Sequence, residues 1–480
     1  MEFKFDFDAD RLGKLDAMRS NGFNPFGSRF ETTSNTGEIR RDFEKLDGKE
    51  VKIAGRIMAR RDHGKLKFFD LADENGNIQI YVTEKELETK SAELLEYLDA
   101  GDIIGVTGKV IKTKTGELSV QAKTITILSK SLLSLPSKWY GLEDTEKRYR
   151  KRYLDFIMNR DSREKIKKGS IMLTAIRELL EKKDFLEVTV PLLHPIPGGT
   201  NARPFVTHYH ALDRDLFLKI ASELYLKRLL VGGFEKIYDI SKNLRNEGVD
   251  TRHNPEFLAF ELYQAYGDLS DMLAITEEII KAAIFAANKT YVVEHGENKI
   301  DFSKFIIKTM EDSVKETLKE TNQKDLISMA QKIDKKVVSY GEAINVLFEE
   351  HVEKKLIQPT FITKFPVEVS PLAKNMEEDP HFVYRFELYI GGMEIANAFS
   401  ELNDPIEQIK RFNEEARRKE RGIDETQEFD RDFIEALGYG MPPAGGVGIG
   451  IDRLVMLGTN SKSIKEVIPF PQLRTVEDEE

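Results

Sequence analysis

The chain has 480 residues, of which 40% are hydrophobic and none is cysteine, and it carries a net charge of −11. This length predicts two or three domains, because a single hydrophobic core rarely grows so large. The composition excludes disulfides, cysteine–zinc sites and non-specific coating of nucleic acid, and no apolar run is long enough to span a membrane. The absence of cysteine fits a reducing, cytoplasmic location. Since the first stretch, MEFKFDFDAD, is acidic and lacks a basic, apolar leader, we expect no signal peptide.

Residues 1–50 form a lead-in with an amphipathic helix predicted over 9–20. Three short strands, a helical segment and two or three further strands follow, and this order predicts an OB-fold barrel over 51–132. Phe68 and Phe69 are adjacent in a strand and point to opposite faces, so one of them is available to stack on a base. The predicted strands are 51–60, 65–73, 77–82, 103–110, 117–122 and 124–128, and the helical segment is 84–98.

Residues 133–155 contain a proline, the sole tryptophan and a dense basic run, which indicates a connector between two domains. The second domain then covers residues 156–480. A helix predicted over 163–183 leads to a short strand that Pro191 ends, an arrangement that suits a dimer interface. The apolar stripe of this helix consists of Ile166, Leu173, Ile176 and Leu180.

Residues 234–267 read as a strand, a charged loop and a second strand, with the strands predicted over 234–240 and 257–263. Because side chains alternate along a strand, one face of the second strand is core and the other carries polar groups. The guanidinium groups of the loop are suited to gripping a polyphosphate, although a solvated hairpin is an alternative. The core face consists of Leu258, Phe260 and Leu262, the polar face of Phe257, Ala259, Glu261 and Tyr263, and the loop carries Arg245, Glu247, Arg252 and His253.

Residues 385–405 contain Gly391 and Gly392, a favourable two-residue hairpin turn. Such a turn pairs Ile390 with Met393 and Glu387 with Ala396, and makes Glu387 and Glu394 diagonal neighbours on one face. Two carboxylates so close need a cation between them, either Mg²⁺ bridged to substrate phosphates or a basic side chain. The later polar residues of this strand join the same face only if a bulge intervenes at Ile395 or Ala396, and we predict that bulge. These later residues are Asn397, Phe399 and Glu401.

Residues 445–457 have glycine at positions 446, 448 and 450, which leaves one strand face without side chains, so a flat ligand or another backbone can approach closely. Arg453 follows near the start of an apolar helix, where it is available to a phosphate. The pattern matches neither a P-loop nor a dinucleotide-binding fingerprint.

These three segments, behind an OB-like domain, resemble the three signature motifs of class II aminoacyl-tRNA synthetases, and specifically of the lysyl-tRNA synthetases. Pro191 matches motif 1 (about 163–191), Arg245 and Glu247 match motif 2 (about 234–267), and Gly448, Gly450 and Arg453 match motif 3 (about 445–457). The similarity extends over nearly the whole chain and includes GGTNARPFVTH at 198–208. It implies an α+β protein, in which an N-terminal OB-fold barrel precedes a catalytic domain with a central antiparallel sheet flanked by helices and an insertion at about 290–350.

The resemblance also implies an activity. An enzyme of this family activates L-lysine with ATP to lysyl-adenylate and transfers lysine to the 3′ end of tRNA(Lys), releasing AMP and pyrophosphate. It would use Mg²⁺, with more than one ion per active site, and no zinc. Its partners would be tRNA(Lys), L-lysine and ATP, it would form a homodimer through the motif 1 helix and strand, and it would not bind a membrane.

The resemblance further assigns roles to individual residues. Arg245 and Arg453 would be catalytic, and Glu387 and Glu394 would hold magnesium. ATP would contact Arg245, Glu247, Arg252, His253, Phe257, Gly450 and Arg453. Lysine would contact Gly198, Glu223, Glu261, Tyr263, Asn397, Phe399 and Glu401. The anticodon would contact Arg61, Phe68 and Gln79.

The sequence departs from the usual family pattern at Ser222, Asp184, Leu244 and Met393, and these departures bear on local packing. Three alternatives remain. An aspartyl- or asparaginyl-tRNA synthetase shares the architecture, but Glu261 and Glu401 would repel a carboxylate substrate. A lysine ligase that modifies an elongation factor resembles the catalytic half but lacks an OB domain. An inactive synthetase-like RNA-binding module would not need Arg245, Arg453, Glu387 and Glu394.

Overall fold

The computed structural model describes residues 4–64, 66–83, 85–136, 144–422 and 427–474. Lys65, Glu84 and residues 137–143, which belong to a predicted strand, the predicted helical segment and the predicted connector, lie outside the described residues. The chain divides into two compact units, Met1–Glu143 and Asp144–Glu480. Among the described helices, none combines the length and apolar character needed to cross a membrane.

The first unit contains a closed barrel in the order β1-β2-β3-β5-β4, which confirms the predicted OB fold. β3 and β5 pair in parallel and the other neighbours are antiparallel. The elements of this unit are α1 (Ala9–Ser20), α2 (Thr36–Arg41), α3 (Phe43–Leu46), β1 (Glu50–His63), β2 (Leu66–Ala72), β3 (Asn77–Thr83), α4 (Thr89–Leu94), β4 (Ile103–Lys112) and β5 (Leu118–Ser129).

The barrel interior confirms the predicted alternation, because Phe69 is fully buried whereas Phe68 remains partly exposed on the outer face. One prediction here is wrong. The two strands expected at 117–122 and 124–128 are a single strand, β5, in which Lys123 is the extra residue between the pairs Thr107–Thr124 and Gly108–Ala122. A bulge adds one residue without ending the strand. The alternation of inward and outward side chains therefore breaks at Lys123, and this break was misread as a boundary between two strands.

The second unit is built on a large sheet with helices packed against it. Its elements are α5 (Thr145–Arg150), α6 (Arg152–Met158), α7 (Arg160–Glu181), β6 (Leu186–Glu187), β7 (Leu193–His194), β8 (Val206–Tyr209), β9 (Arg214–Leu218), α8 (Glu223–Val231), β10 (Lys236–Leu244), β11 (Glu256–Ala265), α9 (Leu269–Asn288), β12 (Val292–His295), β13 (Asn298–Asp301), β14 (Ile306–Thr309), α10 (Met310–Leu318), α11 (Gln323–Ile333), α12 (Tyr340–His351), β15 (Thr360–Pro366), β16 (Phe382–Ile390), β17 (Met393–Ser400), α13 (Pro405–Glu420), α14 (Arg431–Gly438), β18 (Ala444–Gly450) and α15 (Ile451–Gly458).

The large sheet has eight strands in the order β14-β15-β16-β17-β18-β11-β10-β6. The strands from β15 to β10 are antiparallel, and the edge pairs β14–β15 and β10–β6 are parallel. Helices α7, α9 and α15 pack together over one face of this sheet, where Ile176, Ile280, Phe260 and Leu454 share a hydrophobic core. Because side chains alternate along a strand and this core covers one face of the sheet, the polar side chains of the same strands point to the opposite face.

Helix α7 begins three residues earlier than predicted and buries Met172, Ile176 and Leu180, whereas Ile166 and Leu173 lie at the edge of the buried stripe. After the helix, Asp184 adopts a left-handed conformation with φ of 61°. The amide of Phe185 donates to the carbonyl of Leu180 over 3.1 Å, which is the long hydrogen bond that closes a helix C-terminus around a left-handed residue.

Candidate active site

A cavity of about 420 Å³ lies on the polar face of the large sheet. Strands β11, β16, β17 and β18 form its floor, and the start of α8 and the loop between β10 and β11 form its rim. Most of the residues expected at a nucleotide, metal or amino-acid site line this one cavity. They are Arg245, Glu247, Arg252, His253, Phe257, Gly450, Arg453, Glu387, Glu394, Glu223, Glu261, Tyr263, Asn397 and Phe399.

Strand β11 delivers its polar residues by simple alternation. Phe260 and Leu262 are fully buried in the core, while Glu261 and Tyr263 line the cavity on the other face. The predicted division of this strand into two faces is confirmed. The partner strand β10 begins two residues later than predicted and continues to Leu244, so the charged loop is shorter than expected.

The hairpin of β16 and β17 contains the predicted bulge. Tyr389 pairs with Glu394 and Leu388 pairs with Ala396, which leaves Ile395 as the extra residue. The expected pairing of Glu387 with Ala396 is therefore wrong by one position, and Glu387 pairs with Asn397 instead. The bulge brings Asn397 onto the face that carries Glu387, although regular alternation from Glu394 would have placed it on the other side.

The glycines of β18 differ in what lies above them. A Cβ atom at Gly448 would approach no heavy atom closer than 3.9 Å, so this position is open toward the cavity. A Cβ atom at Gly446 would instead lie 2.1 Å from Oε1 of Glu401 and 2.4 Å from the ring of Tyr263. The expectation of a bare strand face thus holds at Gly448, whereas at Gly446 the space is filled by the protein's own side chains.

One end of the cavity collects cationic and donor groups. The guanidinium carbon of Arg245 lies 5.0 Å from the centre of the Phe257 ring, and its buried Nε atom has no hydrogen-bond partner among the described residues. Burial lowers the pKa of Arg245, an effect that Glu247 opposes. Arg453 donates to the carbonyl of Glu394 over 2.8 Å and to Nε2 of His253 over 2.9 Å. This end of the cavity is suited to an anion with several oxygens.

Arg252 reaches the same region from the loop. Its Nη1 donates to the carbonyl of Gly392, at the hairpin turn, over 2.7 Å. His253 is held in turn by Asp250, whose Oδ2 lies 2.8 Å from its Nδ1. The loop is therefore tied to the β16–β17 hairpin at the point where both face the cavity.

Glu387 and Glu394 lie on one face of the hairpin, as predicted. Glu387 accepts hydrogen bonds from Arg385, at 2.5 Å, and from the hydroxyl of Tyr389. Burial raises the pKa of Glu387 to about 7, with Arg385 opposing the rise and Glu394 adding to it. In the described part of the chain no cluster of three or more metal-binding side chains occurs. A cation at this pair would consequently take its other ligands from water or from a bound phosphate.

The other end of the cavity is rich in buried carboxylates. Glu223, Glu261 and Glu401 are each less than a tenth exposed. The amide of Ser222 donates to Oε1 of Glu261 over 2.8 Å. Nζ of Lys227 lies 2.6 Å from a carboxylate oxygen of Glu223 and 2.6 Å from one of Glu401.

Burial controls the ionisation of these groups. It raises the pKa of Glu261 to about 7, which the amide of Ser222 opposes, and it raises the pKa of Glu401 to about 8, which Lys227 opposes. Glu223 and Glu401 share the ammonium group of Lys227, and Glu261 adds a third carboxyl group beside them, so the site favours a cationic ligand.

Two expected contacts lie beside the cavity instead of lining it. Gly198 borders a neighbouring cavity, while Gly199 lines this one and donates its amide to Oε1 of Gln427 over 3.1 Å. Glu401 is 1% exposed and lies behind Tyr263, above Gly446. Gly198 lies in a loop and Glu401 directly follows β17, and the local sequence pattern does not determine the exact position of either residue.

Arg385 is a cavity residue that the sequence analysis missed. Its guanidinium group lies 4.3 Å from the ring centre of Phe365 and 5.4 Å from that of Phe399. It donates to Oδ1 of Asn397 over 3.1 Å as well as to Glu387. The signal was present, because Arg385 stands two positions before Glu387 on a strand and shares its face.

Lys227 was also missed. Lys227 stands four residues after Glu223, which is the spacing of an ion pair within a helix, but the sequence analysis predicted no helix at this place. Its contact with Glu401, 174 positions further along the chain, is not a local feature and required the fold.

The three residues expected at an anticodon lie together in the first unit. Arg61 is directly opposite Phe68, and Gln79 is directly opposite Asp70, to which Arg61 donates over 2.7 Å. Ser119 donates to Oε1 of Gln79 over 2.9 Å. All of them lie on the outer face of the barrel, because the alternate residue Phe69 points inward.

Comparisons with known proteins point in one direction. Residues 144–474 match the family described as tRNA synthetases class II (D, K and N), and residues 51–128 match the OB-fold nucleic acid binding domain. The chain is 50% identical to the lysine–tRNA ligase of Pelotomaculum thermopropionicum, over 97% of this chain and 94% of that protein. It is 50% identical to that of Carboxydothermus hydrogenoformans, over 97% of each chain, and 47% identical to that of Bacillus subtilis, over 97% and 96%.

Proposed function

The chain belongs to the lysine–tRNA ligases within the class II tRNA synthetases, and from this premise we propose how its residues carry out the reaction. The enzyme activates L-lysine with ATP to lysyl-adenylate and transfers the lysyl group to tRNA, releasing AMP and pyrophosphate. The observation that carries this assignment is the cavity itself, which has an arginine-rich end and an end lined by the buried carboxylates of Glu223 and Glu261, with that of Glu401 behind them. ATP fits the first end and an amino acid with a cationic side chain fits the second.

The buried carboxylates determine which amino acid the site accepts as substrate. Glu261 and Glu401 would repel the side chain of aspartate and gain nothing from that of asparagine. An ammonium group between carboxylates is instead compensated in charge and in hydrogen bonds. An aspartyl- or asparaginyl-tRNA synthetase is therefore not favoured. We assign the lysine contacts to Glu223, Glu261, Tyr263, Asn397 and Phe399, with Gly198 and Glu401 supporting them from behind the cavity wall.

We assign ATP to the opposite end. Arg245, whose Nε atom has no hydrogen-bond partner among the described residues, would donate to the α-phosphate. Arg252, His253 and Arg453 would hold the outer phosphates. Phe257 would stack on adenine. Glu247 and Gly450 line the same end of the cavity.

The first step needs positioning more than proton transfer. The carboxylate of lysine is ionised at neutral pH, so its oxygen attacks the α-phosphorus in line once both substrates are held. Pyrophosphate leaves with the electron pair of the broken bond, and the fixed charges of Arg245 and Arg453 offset the negative charge that develops. In the second step the terminal ribose hydroxyl of tRNA attacks the carbonyl carbon of the adenylate, and AMP leaves.

We propose that Glu387 and Glu394 hold Mg²⁺, with more than one ion per active site. The raised pKa of Glu387 and the position of Glu394 on the same face support this assignment, since Glu394 adds to the negative charge around Glu387 although Arg385 pairs with Glu387 and Arg453 lies 3.5 Å from Glu394. When bound, Mg²⁺ neutralises phosphate oxygens of ATP. The carboxylate of Glu387 would then exchange part of its bonding from Arg385 and Tyr389 to the cation.

We further propose that the barrel reads the anticodon of tRNA(Lys) through Arg61, Phe68 and Gln79. Phe68 is a partly exposed aromatic ring beside a guanidinium and an amide, a combination that stacks on a base and hydrogen-bonds its edge. Since tRNA charging serves protein synthesis, we propose a cytoplasmic location.

We also propose a homodimer, with the contact made by α7, the strand after it and the neighbouring small sheet β7-β9-β8. This region carries a group of large apolar side chains that are exposed in the single chain, which supports a second copy as the partner. They are Leu186, Leu192, Leu193, Val206, Tyr209 and Leu212.

The decisive experiment is ATP–pyrophosphate exchange with each of the twenty amino acids in turn, with Mg²⁺ and without tRNA. We expect exchange with lysine alone, its loss in Arg245→Ala and a strong reduction in Glu401→Ala. Arg417→Ala, which changes an exposed arginine of α13, serves as the matched control and keeps full exchange. Exchange with aspartate or asparagine would overturn the assignment of the carboxylate end, and exchange with no amino acid would favour an inactive RNA-binding module.

A further inference from the structure

Lys227 is a fully buried cation that does not line the cavity. It lies one helical turn after Glu223 on α8, and its side chain is 0% exposed. Burying an ammonium group is costly unless carboxylates compensate it. Here both compensating groups, Glu223 and Glu401, belong to the carboxylate end of the site, each 2.6 Å from Nζ.

The two carboxylates come from elements that are distant in sequence. Glu223 begins α8, whereas Glu401 follows β17 directly and donates its amide to the carbonyl of Ala444. Among the described residues, Lys227 is the group that forms an ion pair with both carboxylates. It therefore joins the helix to the sheet at the point where the amino-acid end of the cavity is formed.

Other charged and titratable groups also face this pair, and none replaces Lys227. Glu261 of β11 adds negative charge to this pair. Arg385 of β16 lowers the pKa of Glu223 but forms its ion pair with Glu387. No residue of β18 adds a charge, since Gly446 stands there. Within the described residues, the compensation of Glu401 thus depends on Lys227.

We propose that Lys227 is a positioning residue for amino-acid recognition, which holds Glu223 and Glu401 in place as charged acceptors for the ammonium groups of the substrate. This inference rests on the proposed function. Lys227 does not touch the substrate. It acts through the two carboxylates, which it holds in position for the ammonium groups of lysine before lysine binds.

The physical reason is the ionisation of the carboxylates. Burial raises the pKa of Glu223 and of Glu401, and Lys227 opposes both shifts. Without the ammonium group, both pKa values would rise further, so a larger fraction of each carboxyl group would be protonated and would be a weaker acceptor for a cation. Lysine binding would then require that a proton be expelled first.

The test is Lys227→Met, assayed by ATP–pyrophosphate exchange from pH 6.5 to 9. We expect the KM for lysine at pH 7 to rise about tenfold or more, because one pKa unit corresponds to a factor of ten, while kcat at saturating lysine and the KM for ATP change less than about threefold. The pH at which the lysine KM levels off should move upward by about one unit. The matched control is Lys281→Met, which removes an ion pair of the same four-residue spacing, Glu277 with Lys281, from the surface of α9.

A lysine KM and pH profile equal to those of the unchanged enzyme would overturn the proposal. So would equal increases in the KM for lysine and for ATP with an unchanged pH profile, because that result indicates general distortion. If Lys227→Met does not fold, Lys227→Met combined with Glu401→Gln is compared with Glu401→Gln alone. The proposal expects the double variant to have the higher lysine KM, since Glu223 also loses its partner, and equal values would overturn it.

The same experiment separates this inference from the proposed function. If the unchanged enzyme exchanges pyrophosphate with lysine and Lys227→Met behaves like it, only the role of Lys227 fails. If the unchanged enzyme shows no exchange with lysine, the proposed function fails and the role of Lys227 fails with it.

Discussion

The backbone amide of Ser222 donates a hydrogen bond to Oε1 of Glu261 over 2.8 Å, and both groups are buried. Ser222 precedes α8, and its hydroxyl donates to Oδ2 of Asp239 over 2.6 Å, so one residue connects the helix start to β11 and β10. Among the described residues, one further donor reaches Glu261, the side-chain amide of Asn243 at 3.4 Å. The orientation of this carboxylate therefore depends largely on the Ser222 amide.

Ser222→Pro should weaken lysine binding. Proline has no N–H group, and the φ of Ser222, −90°, lies close to the range that proline adopts. Losing a buried hydrogen bond to a charged group costs about 1.5–3 kcal/mol, so the KM for lysine should rise roughly 10- to 100-fold. The kinetics of ATP–pyrophosphate exchange measure this rise in the KM for lysine.

Ser222→Ala is the matched control for that change, because it keeps the amide and removes only the hydroxyl. Asp239 retains Lys219 and Ser241 as donors, so the KM for lysine should change less than about threefold while the protein loses about 1 kcal/mol of stability. Equal effects of the two substitutions would show that the amide does not position Glu261.

Lysine binding should strengthen as the pH rises from 6 to 8.5. The pKa of Glu261 is raised to about 7 and that of Glu401 to about 8, so both carboxylates bind protons at pH 6 and release them through this window. The side-chain amine of lysine, with an ordinary pKa near 10.4, remains charged throughout. The affinity for lysine should gain up to about tenfold per pH unit for each proton released.

Calorimetric titration of lysine in two buffers with different ionisation enthalpies counts these protons directly. Glu401→Gln should remove the part of the pH dependence that lies nearest pH 8. A lysine affinity that stays constant between pH 6 and 8.5 would contradict the prediction, because it would mean that both carboxylates are already ionised at pH 6.

Local pattern was enough to predict the two faces of β11, the hairpin turn and its bulge. These features depend on alternation with period two and on turn chemistry, which neighbouring residues determine. The bridge from Lys227 to Glu401 and the stacking of Arg385 on Phe365 depend instead on which strands become neighbours. Such pairings are set by the packing of the whole domain, and a single sequence does not reveal them.

Gly446→Ala and Gly448→Ala should have different effects, although the two glycines are two positions apart on β18. A methyl group at Gly446 would lie 2.1 Å from Oε1 of Glu401, so Glu401 or the strand must move. A methyl group at Gly448 would approach nothing closer than 3.9 Å and would project into the cavity.

We therefore expect Gly446→Ala to lower stability by about 2 kcal/mol or more, as overpacking does, and to disturb lysine binding. Gly448→Ala should keep the thermal midpoint and raise the KM for ATP or lysine. Thermal unfolding and exchange kinetics on both variants measure these effects. A Gly448→Ala enzyme with unchanged kinetics would show that no substrate approaches that position.

Asp184→Gly should stabilise the protein. Asp184 has φ of 61° and follows α7 at the position where a left-handed residue closes the helix, and glycine adopts this conformation without the steric cost that a Cβ atom incurs. The expected gain is about 1 kcal/mol, with Asp184→Ala expected to lower stability because alanine combines a Cβ atom with no polar group for local hydrogen bonds. The apparent thermal midpoints of the three proteins, compared under identical conditions, should be highest with glycine at position 184, intermediate with aspartate and lowest with alanine. The rate of amide hydrogen exchange at Phe185, whose N–H donates to Leu180 across this turn, should follow the reverse order and be slowest in Asp184→Gly. A midpoint for Asp184→Gly at or below that of Asp184→Ala would mean that the aspartate side chain, and not the backbone conformation, determines the stability of the turn between α7 and β6.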